Sequence, residues 1–160
     1  MNILRDIVLV FAITTTGLVA GLLAAFAYAV MPGLQRAGAP AAVPAMQRIN
    51  DAIINPVFAV IFFGAVGFGI VAVLLWWGDA MRWWLIAGVV LTLMAVVITA
   101  AVNVPLNNRL VAAGDVPAAD APTVWADFVG PWVRWNLIRA VIATAGFAVM
   151  ILGLLQTRGQ

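Results

Sequence analysis

The chain has 160 residues, 66% hydrophobic and 9% charged, where a soluble domain averages roughly 45–50% apolar and about 25% charged residues. A fold of this size cannot hide so much apolar surface from water, so lipid must solvate most of it. Its charges are 8 Arg and 6 Asp, without Lys or Glu, and a net +2 scattered along the chain is too thin for a nucleic-acid footprint.

A membrane-spanning helix needs about 20 mostly apolar residues, and four segments supply them. The first runs from about residue 7 to 31, behind Arg5 and Asp6, and Pro32-Gly33 ends it. Ala25-Phe26-Ala27 resembles a leader-cleavage site. The apolar run, however, exceeds the roughly 7–15 residues of a signal-peptide core, so an uncleaved span is expected. Gly17 and Gly21 form a GxxxG, read as close packing within the bundle. A long connection over 32–52 carries Arg36, Arg48 and Asp51. The second span covers about 53–77 and contains Gly64, Gly67 and Gly69. A tight turn from Gly78 to Arg82 follows, flanked by Trp76-Trp77 and Trp83-Trp84, which are expected to form an interfacial belt.

The third span, about 83–104, stops before Pro105. The second long connection, 105–132, carries Arg109, Asp115, Asp120 and Asp127, with turn signals from Gly114 to Pro122. The fourth span runs from about 133 to 155, before a polar tail at 156–160. No strand-like alternation competes with these runs. The expectation is an all-α integral membrane four-helix bundle, one transmembrane domain over 1–160, with two long loops on one face. With an even number of spans, both termini share the face of the tight turn. Arginine counts barely separate the two faces, and the longer, Asp-bearing loops favour the outside. That places the termini in the cytoplasm. A Lys-free chain rich in Ala, Val and Arg suggests a bacterial plasma membrane.

The two halves echo each other. Pro32 and Pro105, each closing a span, are followed four residues later by Arg36 and Arg109. Arg48-Ile49-Asn50 introduces the second span and Arg134-Trp135-Asn136 the fourth, both reading Arg, apolar, Asn. Hairpins repeated this way would be related by an axis along the membrane normal, as in parallel-repeat transporters.

Polar side chains at membrane helices are costly and mark bundle interiors or cavities. Here they gather toward the long-loop face: Tyr28 near the end of span one, Asn50 and Asn55 at the start of span two, Asn103 and Asn107 at the end of span three, and Trp132, Asn136 and Arg139 opening span four. Trp132, Asn136 and Arg139 stand at i, i+4 and i+7, one face of a helix. Arg139 lies two turns inside its apolar run, so its guanidinium must meet an anion, carbonyls or water. Asp127 is the nearest carboxylate in sequence and is expected to fold back over the mouth. Singly, each of these residues has a plainer use as an anchor or a cap; converging on one mouth, they outline a ligand cavity. Arg36, Arg48 and Arg82 read as interfacial anchors, and Met31, Met46, Met81, Met94 and Met150 as packing.

The missing residues limit the chemistry. Without Cys there is no thiol nucleophile, disulfide or thiolate metal site, and without His no imidazole base or ordinary zinc, copper or haem ligand. Without Lys there is no Schiff base. Catalysis would rest on Asp, Asn, Arg, Tyr, Trp and Thr.

Several ordered pieces carry a family resemblance: Tyr28-Ala29-Val30-Met31-Pro32, Met46-Gln47-Arg48-Ile49-Asn50, Asn103-Val104-Pro105-Leu106-Asn107, and Trp125-x-x-Phe128 followed by Trp132-x-x-Trp135-Asn136-x-x-Arg139. Together they resemble the anthrone oxygenase-like family of small four-helix membrane proteins, over nearly the whole chain. The resemblance implies oxidation of an anthrone by molecular oxygen without metal or flavin, hence no cofactor. It departs in one respect, because this chain has no His. On that model Arg139, with Asn136 or Asn103, would stabilise the enolate oxygen, and Trp132 and Trp135 would stack the flat ring. Asp127, or a water held by Asn107, would take the proton. Tyr28, Asn50 and Asn55 would complete the binding pocket. The expected partners are the bilayer, a lipophilic aromatic molecule, and a membrane-protein partner or a second copy. The competing readings are a non-catalytic subunit that binds lipid or quinol, and a small transporter. The absence of an intramembrane carboxylate argues against proton coupling in the transporter.

Overall fold

The computed structural model describes residues 3–158. Four long helices form the body: α1 (Ile3–Ala25), α4 (Pro56–Leu75), α5 (Met81–Ile98) and α7 (Ala121–Arg158). Between them lie α2 (Met31–Ala37), α3 (Ala39–Ile53) and α6 (Val104–Ala112). A five-residue π turn, Phe26–Val30, joins α1 to α2, and a second, Thr99–Asn103, joins α5 to α6. No strand is present among the described residues. Four of these continuous helical stretches are long and apolar enough to cross a membrane, which makes this a multi-pass membrane protein.

The body is a four-sided ring in which α1 packs on α4 and α7, and α5 packs on the same two helices. Its core is layered. Leu9, Met81, Leu85 and Met150 fill the end beside the tight turn. Val19, Leu23, Phe62, Ala95 and Ala143 fill the middle. Glycine sets the closest approach: a Cβ on Gly146 would stand 3.1 Å from the Gly88 carbonyl oxygen, so α5 and α7 meet backbone to backbone there. Gly17 faces the Phe147 ring of α7, as intramolecular packing requires, whereas nothing lies within 4 Å of a Cβ placed on Gly21.

The long connections are not loops. Segment 32–52 is almost wholly helical, and within 105–132 only 113–120 is irregular. Apolar residues at helical spacing override the proline signals, since Ala42, Val43, Met46 and Asn50 form one buried face of α3 across Pro44. Trp125, Phe128 and Trp132 do the same on α7 across Pro131. These faces meet Met31 and Leu110 in a third core layer that caps the bundle. Gln47 pins the cap by donating from Nε2 to the carbonyls of Leu110 (2.8 Å) and Gly114 (3.0 Å). At 38 residues, α7 is about 57 Å long. A hydrocarbon core is about 30 Å thick, so α7 continues from the membrane into this cap.

Each π turn immediately precedes a proline-bearing helix start. Met31 N–H donates to the Phe26 carbonyl and Val104 N–H to that of Thr99, with Pro32 and Pro105 next in the chain. A proline ring clashes with the carbonyl four residues back, and widening the turn relieves the clash. The echo between the halves is therefore one backbone device used twice. At the opposite end, the Arg5 guanidinium lies 3.5 Å from the Trp76 ring centre and pairs with Asp79 at 2.9 Å, while Arg82 lies 4.8 Å from the Trp83 ring centre. The tryptophan pairs thus cluster with arginines around the tight turn.

Candidate functional site

Where the body meets the cap, the four long helices together with α3 and α6 line a cavity of about 610 Å³, within the size range of small-molecule sites. Its wall is mostly hydrocarbon: Leu22 and Leu23 from α1, Phe26 from the first π turn, Phe58, Phe62 and Phe63 from α4, and Val96 from α5. The polar lining comes from Asn50, Thr99, Asn107, Asn108, Trp132, Asn136 and Arg139.

Arg139 is the centre of this polar set, 4% exposed. One terminal nitrogen donates to Thr99 Oγ1 (2.9 Å) and the other to Asn136 Oδ1 (2.9 Å). Asn136 in turn donates from Nδ2 to the Leu23 carbonyl (3.0 Å), just ahead of the first π turn. The guanidinium is thereby tied to both π-turn regions, and it lies 5.6 Å from the centre of the Trp132 ring. Trp132 Nε1 donates to Asn107 Oδ1 at 2.7 Å, and its ring also meets Phe26 and Phe128.

Two residues that line the cavity each carry a buried donor without a partner, Arg139 at Nε and Asn50 at Nδ2. Buried polar atoms are rarely left unpaired, because each costs the solvation it has lost. Among the described residues the one salt bridge is Arg5–Asp79, and no carboxylate lines the cavity, so the positive charge of Arg139 has no carboxylate counterpart. The arrangement suits a mostly apolar ligand with one oxygen that accepts hydrogen bonds.

The residues expected from the sequence fall into two groups. Arg139, Asn136, Asn107, Trp132 and Asn50 line the cavity. Asn103 is buried just behind the wall, donating from Nδ2 to the Trp132 carbonyl at 3.3 Å. The others stand elsewhere. Tyr28 is 76% exposed on the outside of the first π turn. Asn55 caps α4, accepting from Phe58 N–H at 3.0 Å. Trp135 is half-buried away from the cavity, and Asp127 lies on the exposed face of α7, held off the mouth by the helix that was expected to be a loop. Sequence reasoning missed Thr99 and the Phe58–Phe62–Phe63 wall. Thr99, Asn103 and Asn107 recur every four residues, and that stripe was the available signal.

Residues 46–149, well over half the chain, match a family model described as anthrone oxygenase. No curated protein and no solved structure matches significantly. The matched region contains every polar residue that lines the cavity.

Proposed function

The chain belongs to the anthrone oxygenase family, and from that membership together with the cavity we propose that it is a membrane-embedded oxygenase for a flat, lipophilic anthrone or polycyclic phenol. The carrying observation is an apolar chamber with spare donors, Arg139 Nε and Asn50 Nδ2, and no carboxylate to neutralise the guanidinium. An anthrone is an apolar ring system whose ketone becomes an enolate when its benzylic C–H ionises. Arg139 and Asn50 bind that oxygen and hold its charge as it develops. Asn136, whose oxygen and amide nitrogen are already engaged by Arg139 and Leu23, is a positioning residue. Trp132, Phe26 and the phenylalanines of α4 hold the rings. The departing proton goes to water at Asn107, because Asp127 does not reach the cavity.

The enolate then reduces dioxygen and forms a carbon–oxygen bond at the benzylic carbon. Loss of water from the peroxide leaves the quinone, so one dioxygen gives one quinone and one water. The electrons come from the substrate, and the scheme asks for no metal or flavin. Oxygen uptake by the purified protein with an anthrone tests it. One quinone per oxygen is expected, with Arg139→Leu lowering the rate by about 100-fold or more. Equal rates in both proteins would refute the assignment, and a non-catalytic ligand-binding subunit would consume no oxygen at all.

A further inference from the structure

The cavity is walled by buried side chains on one side and by exposed ones on another. On the capped side, Met46 and Trp132 line it and are themselves buried as part of the third core layer, which the Gln47 bonds from α3 to α6 fasten. On its flank the situation reverses. Phe63 of α4, Ala100 of the second π turn, and Val104, Asn108, Val111 and Ala112 of α6 all line the cavity, yet all are exposed on the outer surface, Phe63 at 67%. α4 does not pack extensively on the second π turn or on α6, which leaves a seam between them. Phe63 stands about 10 Å along α4 from Pro56, where the membrane-spanning stretch begins. At that depth the Phe63 end of the seam opens into hydrocarbon rather than onto the headgroups, while its α6 end reaches the cap.

The polarity of the wall gives the ligand a direction. The spare donors belong to Asn50 and Arg139, whereas the membrane-side part of the seam is Phe63, Ala100 and Val104, with Asn108 farther along α6 toward the cap. We propose that the cavity is loaded sideways from the bilayer, through the seam between α4 and the second π turn with α6, by a fused-ring ketone or phenol bearing an apolar tail. The oxygen-bearing ring enters first and reaches Arg139; the tail stays in the seam or in lipid. The ligand class rests on the function proposed above, while the sideways route rests on the geometry alone.

The test is a binding measurement on the full chain in phosphatidylcholine vesicles, read by quenching of tryptophan emission. The probes are 2-pentylanthraquinone, which dissolves in the bilayer, and anthraquinone-2-sulfonate, which stays in water. The pentyl compound should bind at a rate set by its mole fraction in the membrane, and the sulfonate should not bind. Ala100→Phe, which narrows the seam, should slow association at least about tenfold with thermal unfolding unchanged. Val141→Phe, on a lipid-facing position of α7 outside the cavity, should do nothing. Failure of the pentyl compound to bind, binding of the sulfonate from water, a rate that follows aqueous concentration, or full-speed association in a folded Ala100→Phe each overturns the proposal. The first three are read on the unmodified chain, so the test survives a variant that does not fold. A chain that binds the pentyl probe from the membrane but consumes no oxygen overturns the oxygenase reading alone. Turnover of a sulfonated anthrone supplied from water overturns sideways loading alone.

Discussion

A guanidinium inside a helix bundle must find acceptors for its N–H groups, and Arg139 finds one hydroxyl and one amide oxygen before the supply runs out. A buried charge so sparsely met is costly, and replacing it with an apolar side chain of similar bulk is commonly neutral or stabilising. Arg139→Leu should therefore melt at the same temperature as the parent or higher while losing oxygen uptake, which separates a functional residue from a structural one. Asp79 shows the opposite economy at the tight turn. The hydrogen bond from Met81 N–H holds its carboxyl below the usual carboxylate value; partial burial opposes this, and Arg5 reinforces it. The folded state thus binds that proton less readily than the unfolded chain, so the contribution is complete at neutral pH and is lost as pH falls through the carboxylate range. Thermal unfolding followed from pH 7 toward about pH 3 should fall less steeply in Asp79→Asn than in the parent. At this scale the sequence was readable where spacing alone decides position, as with Trp132, Asn136 and Arg139. It was unreadable for Tyr28, which lies inside the first π turn, whereas Trp135 stands about 100° round α7 from Asn136, off the stripe that faces the cavity.

Among the elements, the π turns decide which side chains reach the cavity. Each adds a residue to a helical turn and so rotates the helix beyond it, and after the second one Asn107 faces the cavity while Asn103 is buried behind it. Restoring the missing N–H with Pro105→Ala should let the turn relax toward ordinary α geometry. Stability should hold or rise, and activity should fall at least tenfold as Thr99 and Asn107 lose their register with Arg139. Circular dichroism and oxygen uptake on the same sample check both halves. Where α5 and α7 touch, Gly146→Val should cost about 1–3 kcal/mol by overpacking, measured by denaturant unfolding in detergent. Gly21→Ala, with open space around it, should gain up to about 1 kcal/mol. The four spans were legible because long apolar runs have no competing explanation. The cap helices were not, because Pro32-Gly33 and Pro105 read as stops and Gly114 to Pro122 as turns, although Ala42, Val43, Met46 and Asn50 already displayed a helical face.

The molecule as a whole joins a lipid-solvated ring of helices to a tightly cored cap, with the cavity at their junction. Composition disclosed the solvent at once, and the clustering of polar residues near one face disclosed the end at which the cavity lies. It did not disclose the seam, since the gap between α4 and α6 is a long-range property that no local pattern encodes. Nor did it disclose Thr99 as a partner for Arg139, 40 residues away along the chain. The central claim is that the spare Arg139 N–H faces a bound oxygen, and nuclear magnetic resonance of a chain labelled only at arginine nitrogen measures it directly. With the Nε–H signal assigned by its absence in Arg139→Leu, adding 2-pentylanthraquinone should shift that resonance and leave those of the other arginines in place. Saturable binding with the Arg139 signal unmoved would contradict the account.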